Sequence, residues 1–200
     1  MSVLCQMNDV GFTQKPTSIP FMGKLRERMI QQGWQYLGDD EFVRKVCYEG
    51  FAFYGNLFDG HDLMELGQQR QCWKAQTIVA VDIDKTTVHP LDMVKLYQER
   101  HLSPWLAYTT FSDGKDGLRS YRLLWKVEGD LSITYEQWRD VIRGLGAVTP
   151  LGDKHAMDCT RMWQGSLAGE CYRDNFFEPK PYSWFVTRLN ELFTPEQVEV

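Results

Sequence analysis

Thr77-Ile78-Val79-Ala80-Val81-Asp82-Ile83-Asp84 is the stretch on which the fold turns. Residues 77–83 are rich in β-branched side chains and almost continuously apolar, the pattern of a buried strand. Successive side chains of a strand alternate between faces, so Asp82 and Asp84 point the same way. Two carboxylates then project side by side where the strand leaves the core. Like charges that close repel, and burial raises the cost. A divalent cation removes both penalties, and hard oxygen ligands suit Mg²⁺ or Mn²⁺. The plainer alternative is a pair of exposed strand-end aspartates.

Working outward, residues 90–101 read as a helix with Leu91, Val94, Leu96 and Tyr97 among its apolar positions. Residues 105–111 and 119–127 read as two strands around the turn Ser112-Asp113-Gly114-Lys115-Asp116-Gly117, a hairpin with a flexible tip. Thr134 is placed to cap a helix over 135–145 that stops at Gly144 or Gly146. Residues 147–170 are short and irregular, Pro179 and Pro181 mark a turn, and 182–193 form a terminal helix. That helix would bury Trp184, Phe185, Leu189 and Leu192.

Towards the N-terminus, residues 22–33 form a short amphipathic helix with Leu25, Met29 and Ile30 on one face and Gly33 as its stop. Residues 34–60 carry Trp34, Tyr36, Phe42, Val46, Tyr48, Phe51, Phe53 and Phe58 among Gly38, Gly50, Gly55 and Gly60. They read as short strands and turns with one packed face. These aromatics suit a core; a base-stacking platform is the other use of such residues. Residues 1–20, with Pro16 and Pro20, read as a polar arm ahead of a domain over 21–200. The order is strand–helix–strand–strand–helix behind a smaller N-terminal α/β segment: an α/β (α+β) layer with helices packed on a mixed sheet.

With 200 residues, 43% hydrophobic and 24% charged, the chain suits one globular domain, or one with a small extension. The net charge of -5 argues against a protein that coats nucleic acid without specificity, though not against a local basic groove. Five cysteines, an odd number with no CxxC pair, indicate neither a disulfide framework nor a standard zinc site. No secretory segment or bilayer-length apolar run is visible, so a cytoplasmic protein with no membrane partner is expected.

A third carboxylate would complete a metal site. Asp153 and Asp158 are the candidates, in Gly152-Asp153-Lys154-His155-Ala156-Met157-Asp158-Cys159-Thr160-Arg161. Lys115, Arg119, Arg122 and Arg161 flank the hairpin and this segment, and arginine matches phosphate with a bidentate fork. Arg122 lies in the apolar run Tyr121-Arg122-Leu123-Leu124-Trp125 and needs a partner, either a nucleotide phosphate or a structural aspartate.

Taken in order, residues 77–84, Tyr108-Thr109-Thr110-Phe111-Ser112, Ser120 through Trp125 and Asp153 through Ser166 resemble a known family. Residues 70–166 are similar to the catalytic core of the archaeo-eukaryotic primase superfamily, especially the primase-polymerase domains of plasmids and phages. Gly165-Ser166 after Arg161 fits that family's closing motif. The resemblance implies an RRM-like catalytic sheet and template-dependent nucleotidyl transfer. It implies two Mg²⁺ or Mn²⁺ ions held by Asp82, Asp84 and a third acid, with Asp153 the better match and Asp158 second. Ser120 and Arg122, with Arg119, Arg161, Lys115 and Ser112, would contact nucleoside triphosphate. A single-stranded DNA template would lie across the sheet, with Trp73 or Tyr108 as candidate stacking residues, and a replicative helicase would be a partner. Many members carry Ser-x-His where this chain has Ser120-Tyr121-Arg122. Arginine binds phosphate but does not shuttle protons near neutral pH. That departure leaves open a non-catalytic, nucleic-acid-binding module.

A rival reading is a haloacid-dehalogenase-type phosphatase. Asp82-Ile83-Asp84-Lys85-Thr86 matches its DxDxT pattern, with Asp82 as nucleophile and Asp84 as acid/base. Against it, few elements separate the two acidic segments for a doubly wound fold.

Overall fold

The apolar run 77–83 does form a strand, and the rest of the chain is arranged around it. The structure is a computed structural model and describes residues 2–58, 69–153, 156–167 and 169–193. Gly60, Lys154 and His155, named above, lie outside the described residues.

In chain order the elements begin with β1 (Ser2–Met7), α1 (Ile19–Gln32), β2 (Gln35–Gly38) and α2 (Asp39–Val43). A π-helical turn over Arg44–Tyr48 leads to β3 (Phe53–Tyr54) and β4 (Asn56–Phe58). Then come α3 (Gln69–Cys72), β5 (Trp73–Gln76), β6 (Ile78–Thr86), α4 (Pro90–Glu99), β7 (Leu106–Thr109) and β8 (Arg119–Lys126). The chain continues through α5 (Tyr135–Ala147), β9 (Met162–Trp163), β10 (Cys171–Arg173) and α6 (Tyr182–Leu192).

One four-stranded sheet has the order β10-β7-β8-β6. Its ladders are antiparallel, and β6 and β7 both oppose β8, so they run the same way on either side of it. The order β6–α4–β7–β8–α5 is the expected one, and the fold is the expected mixture of α and β. Among the described residues there is no doubly wound parallel sheet, so the scaffold of the phosphatase reading is missing.

Helices cover one face of this sheet. Tyr97 of α4 packs its ring on Trp125 at 5.3 Å and donates its hydroxyl to the Leu145 carbonyl of α5 at 2.6 Å. Thr134 caps α5 in a full capping box with Gln137. In α6, Phe185 and Leu189 are buried, and Phe185 meets Trp138 of α5 at 5.8 Å.

The opposite face meets a second four-stranded sheet, β2-β1-β3-β9. Here the expected N-terminal arm is corrected. Ser2–Met7 is a central strand in which Val3, Cys5 and Met7 are at most 2% exposed. Three short alternating apolar residues are a faint signal, and the ladder that holds them comes from partners far along the chain. Residues 39–48 are also helical instead of extended, opened by Asp39, Asp40 and Glu41 at the favourable N-terminal end.

Phe42 touches Trp105 at 5.4 Å across the junction, and the buried Lys126 ammonium pairs with Asp39 at 2.8 Å. Gly165 sits where any Cβ would lie 2.4 Å from the Val46 carbonyl oxygen and 2.6 Å from that of Phe51. Only glycine permits that approach. Of the aromatics considered for base stacking, Trp73 and Tyr108 are buried, whereas Trp34 and Tyr36 are exposed. Among the described residues no helix is long and apolar enough to cross a membrane.

Candidate functional site

Asp82 is half-buried and Asp84 exposed, at the end of β6 where the strand leaves the covered core. Both lie on the face turned away from α4 and α5. The register places Arg122 of β8 directly opposite Asp82, and Tyr108 of β7 opposite Arg122. Strand alternation brings the three side chains to one face.

Arg122 therefore finds a protein partner. Its Nε and Nη2 reach Asp82 Oδ1 at 3.0 and 2.9 Å. Its Nη1 donates to the Tyr108 hydroxyl and to the Gln164 carbonyl, both at 2.8 Å. The guanidinium lies 4.5 Å from the Trp163 ring centre and 5.6 Å from that of Tyr108. Burial works against the charge of Arg122. The Asp82 carboxylate and the Tyr108 hydroxyl outweigh it and raise the arginine's pKa above its ordinary value. Of the two partners left open by the sequence, the structure supplies the aspartate, and it is the site's own Asp82.

Ser120, one alternation further along β8, donates its hydroxyl to Asp84 and accepts from the Lys85 amide at 3.2 Å. Each carboxylate of the pair thus has a cross-strand partner that fixes its orientation. Ser112 lines the same cleft.

The other candidates divide. Arg161 places Nη2 4.0 Å from Asp82 Oδ2 and lies over the Trp163 ring at 5.2 Å. The backbone amide of Asp153 donates to the Asp82 carbonyl at 2.9 Å, which sets the late acidic segment along the edge of β6. Asp158 is engaged elsewhere. It accepts from the Tyr135 hydroxyl at 2.9 Å and caps its own turn through the Thr160 amide at 2.7 Å. A carboxylate two residues before a hydroxyl residue readily makes this local turn.

Arg119 projects to the other face of β8, where Asp113 holds it at 2.9 Å and Glu170 at 2.8 Å. Those hydrogen bonds, Asp113 first, raise its pKa against the opposing effect of burial. It braces the hairpin and does not face the carboxylate pair. Lys115 is exposed at the hairpin tip, in a short 3₁₀ turn.

Between the two sheets, Asp82, Asp84 and Arg122 share a cleft with Lys15, Thr110, Phe111, Ser112, Gln164 and Gly165. Lys15 and Gln164 were not singled out in the sequence. Gln164 contributes through its backbone carbonyl, and Lys15 sits in a polar segment with no pattern to mark it.

Among the described residues no three acidic, histidine or cysteine side chains converge to cage a metal ion. The donors on offer are the Asp82 and Asp84 carboxylates. That pair fits Mg²⁺ or Mn²⁺, because such ions are commonly held by one or two carboxylates, with substrate phosphates and water completing the shell.

No family model matches the chain, and no curated protein matches it. Among solved structures, it is similar to the AEP domain of the primase-polymerase (PrimPol) of cyanophage S-2L. The TM-score is 0.50, with 94% of this chain and 89% of that chain covered and 10% of residues identical. The likeness runs through nearly the whole of both chains and, at this identity, is a likeness of fold.

Proposed function

We propose that this protein is a metal-dependent, template-directed nucleotidyltransferase, a primase-polymerase that serves replication of a plasmid, phage or other mobile element. One observation carries the reading: Asp82 and Asp84 stand side by side at a strand end and open on a cleft between two sheets. The fold likeness to a phage primase-polymerase domain supports it.

On this reading Asp82 and Asp84 hold the ions, substrate phosphates and water complete the shell, and Asp153 acts through its backbone amide on the Asp82 carbonyl. Two bound Mg²⁺ or Mn²⁺ ions would activate the attacking 3′-hydroxyl and stabilise the departing pyrophosphate. Arg122 keeps Asp82 in one orientation, and Ser120 does the same for Asp84. Ser112 lines the cleft that takes the triphosphate. Single-stranded DNA is the template, deoxynucleoside or ribonucleoside triphosphates are the substrates, and a replicative helicase is the partner, in the cytoplasm of a prokaryotic host.

A second reading, a non-catalytic primase-like module, is favoured by one feature: Asp82 Oδ1 already receives two guanidinium nitrogens. One experiment separates them. Nucleotide incorporation is measured on a single-stranded template, with and without primer, in Mg²⁺ and in Mn²⁺. The expected result is metal-dependent product that Asp82→Ala or Asp84→Ala reduces by at least about 100-fold while the fold is retained. A folded wild-type protein that makes no product under any condition supports the binding module. Product undiminished in both variants removes the carboxylate pair from the chemistry.

A further inference from the structure

A nucleoside triphosphate needs cationic donors beyond its metal ions, and the arginines named from the sequence are already engaged. Arg122 directs its donors to Asp82, Tyr108 and Gln164. Arg119 is held by Asp113 and Glu170. Arg161 lies over Trp163 and near Asp82.

Lys15 is different. It lines the cleft with both carboxylates, yet no hydrogen bond or ion pair engages it among the described residues. Its placement is determined by the fold. The segment that carries it is tied at two points to the chain after the π-helical turn. The Asn8 amide donates to the Ala52 carbonyl at 3.1 Å, and Asn8 Oδ1 accepts from the Ala52 amide at 2.7 Å. Further on, the Phe12 amide donates to the Gly50 carbonyl at 3.0 Å. Gly50 has a φ of 72°, and a Cβ there would lie 2.1 Å from the Phe12 carbonyl oxygen. A residue with a side chain would push this strap off. Pro16 then biases Lys15 itself towards extended backbone.

We propose that Lys15 is the phosphate-binding cation of this cleft, and that its ligand class is a nucleoside polyphosphate. The proposal rests on the nucleotidyltransferase reading and deepens it. A lysine ammonium on a flexible stem is a point charge that follows a phosphate as it binds. Arg122, by contrast, is a positioning residue for Asp82.

Calorimetric titration with inorganic triphosphate and with dATP, both in Mg²⁺, tests this. Lys15→Ala is expected to weaken both ligands by about tenfold, as loss of one charge-assisted contact does. Lys15→Arg should recover most of the affinity, and Lys95→Ala, an exposed charge on α4, should leave it unchanged. Because Lys15 is exposed, the thermal midpoint should not move. Wild-type binding with equal affinity in Lys15→Ala overturns the assignment and leaves the nucleotidyltransferase reading intact. A wild-type protein that binds neither ligand overturns both.

Discussion

β6 and β8 pair over six consecutive positions, from Ile78–Lys126 to Ile83–Tyr121, whereas β3 and β9 pair over two. The first sheet takes its three main strands from residues 78–126, joined by one helix and one hairpin. The second gathers strands from residues 2–7, 35–38, 53–54 and 162–163. The difference is one of division of labour. The long, locally connected sheet carries the carboxylates at fixed register. The short, widely gathered one supplies the wall that turns an exposed strand end into a cleft. Arg122 belongs to the first sheet and is held by the second, through the Trp163 ring and the adjoining Gln164 carbonyl.

Removing that link should have the largest effect on stability. Arg122→Met leaves Asp82 without its charge partner and strips a buried contact from Trp163. A loss of about 3 kcal/mol is expected, near the lower limit for breaking a buried pair because Asp82 is only half-buried. Urea unfolding measures it, and the double variant with Asp82→Asn should recover much of the loss. Strict additivity of the two changes would show that the arginine acts through packing alone.

A smaller effect is expected at the wall itself. Gly165→Ala forces the backbone away from the Val46 and Phe51 carbonyls and should cost about 2 kcal/mol in the same assay. An unchanged midpoint would mean that the second sheet tolerates displacement, and that the cleft is less rigid than its contacts imply. The smallest effect belongs to the first sheet's own helix layer. Thr134→Ala removes one capping hydrogen bond of α5 and should cost about 1 kcal/mol without altering nucleotide affinity. Weakened binding in that variant would show that the helix layer and the cleft are coupled.

The first sheet was largely legible because its signals are local. A continuous apolar run, a turn between two strands and a Thr-x-x-Gln cap each lie within a few residues of one another. The paired carboxylates were legible for the same reason, since strand alternation alone puts Asp82 and Asp84 together. The second sheet was not. Val3, Cys5 and Met7 make a weak alternation, and β3 and β9, at two residues each, are too short to show a period.

Among the cations, sequence chemistry identified Arg122 as needing a partner, but could not choose between phosphate and aspartate. Arg119, three residues earlier in the same strand, faces the other way. Asp158 matched a motif position, yet its hydroxyl neighbours Tyr135 and Thr160 engage it first. Lys15 carried no pattern at all.

The amino-acid sequence by itself determined the order of the elements from 77 to 147, the register-independent pairing of Asp82 with Asp84, and the need of a buried Arg122 for compensation. Those follow from strand alternation, local capping and the cost of burying charge, each a property of neighbours in the chain. Only the tertiary structure decided which acid Arg122 meets, that the N-terminus is a strand, and that Lys15 reaches the cleft. Those depend on segments more than a hundred residues apart, such as Gln164 and Lys15, arriving at one place, and that is settled by how two sheets pack.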